Sequence, residues 1–228
     1  MKQKRFYKIE PPGVNPENLS GKLFVIEGAD GSGRSTQISL LTEWLEHKGY
    51  PVVNVGLKRS TLISKQFTAA QQSKVIGPIT LHLFYATDFV DQMENVMVPA
   101  LRAGFIVLAD RYVFTLMARA VVRGADRPWV KSLYSLAIIP DAVFYLKAKP
   151  QLLVERNFQK KATLDYWESG MDIGYSQDMF ESFFAYQRRI QREFLKMQKE
   201  YGFQVINGNR MIRTISKDLK KRIETFLP

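Results

Sequence analysis

Gly28, Gly31 and Gly33, followed by Arg34, Ser35 and Thr36, fit the spacing G-x-x-x-x-G-[K]-[ST], with arginine where that pattern usually carries lysine. Three glycines within six residues let backbone N–H groups turn inward around an anion with no Cβ in the way. The chemistry served is the cradling of nucleotide phosphates, here by Gly28, Ala29, Asp30, Gly31, Ser32, Gly33, Arg34, Ser35 and Thr36. Arg34 keeps the charge of the usual lysine and adds a planar fork of donors, which suits bridging terminal phosphates of ATP. A hydroxyl from Ser35 or Thr36 suits a magnesium ion (Mg2+). The bland alternative is a Gly-rich turn between a strand and a helix.

Two further groups sit where apolar runs end. Asp110-Arg111 follows the run FIVLA, and Arg59 lies just beyond VVNV. Phosphoryl transfer is mostly positioning and charge neutralisation, so it needs several cations, a magnesium ion and an in-line acceptor. Asp110 is then a candidate to hold the metal or its water, or else a helix N-cap before Tyr112. Arg59 and Arg111 can each grip an acceptor phosphate bidentately, or lie as surface arginines.

These residues have to be gathered by the elements around them. Residues 22–27 form an apolar β-rich run, the pattern of a strand buried on both faces. Residues 35–48 read as a helix whose N-terminus and dipole face the same anion. Further strands are read at 51–55, 105–109, 142–146 and 203–206. Helices are read at 62–73, 78–102, onward from Tyr112 to about 122, 128–138, 150–161, 176–200 and 211–226. Strands alternating with helices predict right-handed crossovers and an α/β domain of three α/β/α layers, with a five-stranded parallel sheet of P-loop type over residues 21–228. Residues 1–20, with three prolines and Gly13, read as an irregular N-terminal arm. Ligands of such sheets bind beyond the carboxyl ends of the strands, which is where loop 28–36, Arg59 and Asp110-Arg111 converge.

Composition narrows the classes. Cysteine is absent, which excludes a disulfide framework and a thiolate metal site. No run approaches the ~18 continuous apolar residues of a membrane span, and MKQKRFYKIEPPG lacks the apolar core of a signal peptide, so the expectation is a cytoplasmic protein with no membrane partner. The net charge is +11, spread from the N-terminal KQKR through Arg188-Arg189 to Lys220-Lys221-Arg222. Interleaved basic and aromatic stacking motifs are missing, so no nucleic-acid partner is expected; an anion cleft and solvated faces account for the surplus. His47 and His82 read as structural, and no Ser-His-Asp or His-based metal spacing occurs.

EGADGSGRSTQ, LKRSTLISK, LFYATDFVDQMENVMVPALRAGFIVLADRY and PDAVFYLKAKPQLLVERN, in that order, resemble the thymidylate kinase family over roughly residues 22–210. The resemblance implies a fold of the nucleoside-monophosphate kinase type and transfer of the ATP γ-phosphate to a nucleoside monophosphate, most simply dTMP to dTDP. By it, Arg59 and Arg111 hold the acceptor phosphate, Asp30 lies near the acceptor sugar, Asp110 lies beside the magnesium, and Tyr85 stacks on the base. It also implies a homodimer formed through helices flanking the acceptor site.

This chain departs from the family at the base pocket. Phe89 stands where the family usually has a pyrimidine-binding arginine. Past Asp110-Arg111-Tyr112, where the family keeps small residues, Thr115 is followed by the bulkier Leu116 and Arg119. Arg119 reads as a contact for another base or a further anion, or as a solvated helix residue. The lid, taken as residues 156–178, has Arg156, Lys160 or Lys161 as candidates for transition-state charge, or as plain solvated cations; its stretch 162–178 reads as a mobile cover in which Glu168 and Asp172 have no assigned role. Two alternatives stay open: a kinase for a different phosphorylated small acceptor on the same scaffold, favoured by Phe89, Leu116 and Arg119, and a nucleotide-binding protein without turnover, favoured by Arg34.

Overall fold

The computed structural model describes residues 5–73, 76–161 and 163–227, without the side chains of Lys160 and Lys161. Five strands, β1 Lys22–Gly28, β2 Val52–Gly56, β3 Ile106–Asp110, β4 Ala142–Lys147 and β5 Gln204–Asn207, form one sheet in the order β2-β3-β1-β4-β5. Each neighbouring pair is parallel. Nine α-helices are described: α1 Arg34–His47, α2 Ser64–Gln72, α3 Pro78–Gln92, α4 Val98–Arg102, α5 Val113–Val122, α6 Arg127–Leu133, α7 Pro150–Lys161, α8 Met179–Tyr201 and α9 Ile212–Glu224.

Strand pleating sorts the apolar residues into two cores, because successive side chains point to opposite faces. Phe24, Ile26, Ile106, Leu108, Phe144 and Leu146 pack with Ile38, Leu41 and Leu45 of α1 and with Ile215, Leu219 and Ile223 of α9. Leu23, Val25, Val107, Ala109, Val143 and Tyr145 face the other way, onto residues of α3, α4, α5 and α8. Both faces are covered, as the unbroken apolar runs require.

Three boundaries differ most from the sequence reading, the others by one or two residues. The helix expected over 78–102 is interrupted by a π-helical turn, Met93–Met97, just before Pro99, which has no N–H to continue the ladder. The helix expected to reach 138 ends at Leu133, because Ile138 instead pairs antiparallel with Phe6. The long helix starts at Met179 rather than 176, where the Asp178 side chain accepts from the Glu181 N–H. The N-terminal arm is irregular apart from a short 3-10 turn, Pro16–Asn18, yet Phe6 and Leu19 are buried in the main core.

The register carries the site. Ile26 pairs with Asp110, Gly56 pairs with the same Asp110, and Gly28 pairs with Leu146. The carboxyl ends of β1, β2 and β3 therefore finish level, at one rim of the sheet. The chain crosses over β1 between β3 and β4, which makes that rim the crevice where ligands of such folds bind.

Candidate active site

Gly28 leaves β1 with φ +153°, and a Cβ there would stand 2.9 Å from the Leu146 carbonyl oxygen. Gly31 has φ +81°, with the Leu153 carbonyl equally close to any Cβ. Only glycine follows this path, so the loop tightens and delivers its N–H groups to the start of α1. A cavity of about 410 Å³ opens there, lined by Asp30 through Gln37 and by Arg156, Asn157, Gln159, Ile212 and Ile215. Ser32 Oγ is buried in the loop without a hydrogen-bond partner. Arg156 donates from Nη1 to the carbonyls of Gly31 and Gly208 at 3.3 and 3.2 Å, so it stands on this side of the loop.

Arg34 borders that cavity, but its guanidinium is committed to partners within the chain. Its side chain is 7% exposed. Nε donates to Asp110 Oδ1 at 2.8 Å, Nη1 to the carbonyls of Gly28 and Ala29, and Nη2 to Asp30 Oδ1 at 3.3 Å. Asp110 also accepts from Ser35 Oγ at 3.1 Å and has Arg59 Nη2 4.0 Å from Oδ2. Burial works to raise the Asp110 pKa, but Arg34 and then Arg111 outweigh it and hold the carboxylate ionised. Asp110 does not cap α5; the cap position is Tyr112, with no side-chain cap bond.

Arg111 sits in the left-handed region at φ +71°, which bends the chain out of β3 and aims its side chain across the loop. Nη2 donates to Asp30 Oδ1 at 2.5 Å and lies 3.3 Å from Glu168 Oε1, while Nε is buried without a partner. Asp30 is held well below the usual carboxylate range: burial opposes this, but Arg111 and Arg34 prevail. The bend is supported by Glu27. This fully buried carboxylate at the end of β1 accepts from the N–H groups of Tyr112 and Thr115 and from the Thr115 hydroxyl, capping α5 from a neighbouring strand.

Arg119, one and a half turns into α5, is 8% exposed and so is not a solvated helix residue. It donates to Tyr85 Oη at 3.1 Å and forms an ion pair with Glu168. Burial and then the repulsion of Arg111 lower its pKa. Burial alone would raise the Tyr85 pKa, but Arg119 and Lys58 lower it. Gln71 donates to the same Tyr85 hydroxyl, and Trp167 donates to the Gln71 carbonyl. The cover is therefore docked: Trp167, Glu168 and Asp172 meet α2 and α5, with Asp172 paired to Arg123. Only about 10 Å³ of space remains between Gly28, Arg111, Thr115, Arg119 and Glu168.

The rim thus brings together Asp30, Arg34, Ser35, Arg59, Asp110, Arg111, Arg119 and Tyr85, from loops and helices far apart in sequence. Phe89 is not among them; its ring packs edge-on against Tyr112 and Tyr134, at 5.2 and 5.9 Å between centroids. Thr115 borders the residual space but commits its hydroxyl to Glu27. The side chain of Lys160 lies outside the described residues. Sequence reasoning passed over Glu27, although a lone carboxylate closing an apolar strand was a readable signal. It also left Glu168 without a role, and Asn157 and Ile212 had no local signal at all. His82 is buried with its pKa lowered to about 4 by burial and by Arg123, and stands apart from the cluster.

The donor set around Ser35 and Asp110 is made of hard oxygens, the kind magnesium prefers. Among the described residues no group of three or more His, Cys, Asp or Glu could cage a metal.

Residues 26–219 match a family model described as thymidylate kinase. A probable thymidylate kinase 2 of Saccharolobus solfataricus is 37% identical over 210 residues, 92% of this chain and 98% of that one. A probable thymidylate kinase of Thermococcus kodakarensis is 29% identical over 89% of this chain and 97% of its own, and one of Thermococcus gammatolerans is 28% identical over 90% and 96%.

Proposed function

This chain belongs to the thymidylate kinase family and is a nucleoside-monophosphate kinase, and on that premise we propose that it transfers the γ-phosphate of ATP to dTMP, yielding ADP and dTDP. The observation that carries the reading is the shared rim. A loop of inward amides ends β1, and two arginines following β2 and β3 reach carboxylates of that loop's neighbourhood, Arg111 to Asp30 and Arg59 towards Asp110.

In this reading the donor phosphates lie in the cavity at the α1 N-terminus, against the amides of residues 28–36 and Arg156. Asp110 and Ser35 hold magnesium, which neutralises charge on the donor phosphates when bound. Arg59 and Arg111 grip the acceptor phosphate, Asp30 orients its sugar, Tyr85 stacks on the base, and Arg119 with Thr115 shapes the wall behind it. Arg156 and Lys160 bring charge to the transferred group. In-line attack by the acceptor phosphate oxygen needs only this alignment, since the barrier falls mainly through positioning and charge.

A homodimer through α3 is part of the same proposal, supported by the exposed Ile79 and Leu83 one turn apart; sedimentation velocity of the chain and of Leu83→Glu tests it. No described helix is long and apolar enough to cross a membrane; a cytoplasmic location completes the reading. A coupled assay of ADP release over a panel of nucleoside monophosphates is the direct test. Turnover greatest with dTMP supports the proposal. Turnover confined to another monophosphate moves the acceptor, and ATP binding without turnover on any of them removes the kinase.

A further inference from the structure

We propose that Arg34 is a positioning residue whose guanidinium ties Asp110 on the donor side to Asp30 on the acceptor side, and does not itself grip the donor phosphates. This inference rests on the kinase reading above, and it reverses the role that residue type alone gives Arg34.

Every nitrogen of the guanidinium is engaged inside the chain. Nε holds Asp110 and Nη2 holds Asp30, while Nη1 is taken by two carbonyls of the loop itself, Gly28 and Ala29. Asp30 Oδ1 is then shared with Arg111. An unbroken chain of charge, Asp110–Arg34–Asp30–Arg111, runs from the metal-side carboxylate to the acceptor-side arginine. Arg34 is the first residue of α1, so its cation stands at the positive end of the helix dipole, where an isolated positive charge is disfavoured. The two carboxylates offset that cost, which pins the side chain in place. The donor phosphates keep other partners: the loop amides, Ser32 Oγ, which is buried and unpartnered, and Arg156.

The geometry also accounts for the residue type. A lysine ammonium offers its three donors from a single nitrogen, whereas the planar fork sets Nε on Asp110 and Nη2 on Asp30 from separate nitrogens. Arginine at this place therefore serves register between the two phosphate sites. A lysine here would free Asp30 to turn, and Arg111 with it.

Calorimetric titration of the full chain with ATP–magnesium and, separately, with dTMP tests this in wild type, Arg34→Lys, Asp30→Asn and the double variant, after thermal melts have shown each folded. Arg34→Lys is expected to keep its ATP–magnesium affinity within about threefold and to lose roughly tenfold or more in dTMP affinity. Adding Arg34→Lys to Asp30→Asn should then cost little more, because both act through one link. A large loss in ATP–magnesium affinity with dTMP binding unchanged would overturn the proposal, and so would additive losses in the double variant. A wild-type chain that binds ATP–magnesium but no dTMP sinks the functional reading instead. The tie is then decided by a crystal structure of Arg34→Lys: Asp30 turned from Arg111 supports it, and Asp30 still bonded there overturns it.

Discussion

Arg111 shows how one residue joins backbone strain to chemistry. A left-handed φ costs an L-residue roughly 1–2 kcal/mol, and the surrounding bonds from Glu27 and the Ile26 carbonyl hold it there. Arg111→Gly is expected to be more stable than Arg111→Ala by about 1 kcal/mol in urea unfolding, while both lose roughly 100-fold or more in kcat/KM with dTMP. Equal stability of the two would mean the bend is not strained. Glu27 offers a prediction in pH. Complete burial pushes its carboxyl from 4.5 up to about 6, against the opposing bonds of Thr115 and Tyr112 and the charge of Arg34. The folded chain thus holds this proton more tightly than the unfolded one. Its contribution is fully present below the unfolded value, is lost as pH rises from about 4.5 to 6, and amounts to about 2 kcal/mol. Glu27→Gln should abolish that decline in melts across the same window; an unchanged slope would place the titration elsewhere.

Between elements, the contact that matters most is the one the cover makes with α5. Glu168 stands between Arg111 and Arg119, two buried cations that repel each other without it. Glu168→Gln should therefore lower Tm by leaving them underpaired. The same change makes the acceptor side more positive, so dTMP is expected to bind several-fold more tightly and to restore more of the lost Tm than it adds to wild type. Weaker dTMP binding in Glu168→Gln would show that this carboxylate helps the acceptor and does not compete with it. The aromatic stack of Phe158 on Phe180, at 5.4 Å between centroids, links α7 to α8 at the two ends of this segment.

For the molecule as a whole, the arm and the site are separable. Phe6 bridges to Ile138, and Tyr7 packs edge-on against Phe114 and Tyr201, all on the face of the sheet behind the rim. Phe6→Ala should lower stability by about 3 kcal/mol yet leave kcat within about twofold, as distant independent sites allow. A collapse of kcat with little change in stability would tie the arm to the chemistry instead.

The alternation of apolar strands and helices, the anion-binding loop and the place of Asp110 and Arg111 at a strand end were legible in the residues, since each depends on local pattern: period, glycine spacing and run length. The five strands came out within a residue or so of their observed bounds for that reason. Partnership was not legible. Which hydrogen bonds Arg34 makes, that Phe89 turns into the core, that Arg119 is buried against Tyr85, and that Glu168 closes over them all depend on β1 lying between β3 and β4 and on the cover folding back across α5. Those contacts join residues tens of positions apart, and the free energy of burying and pairing charges is set by neighbours that only the folded chain brings near.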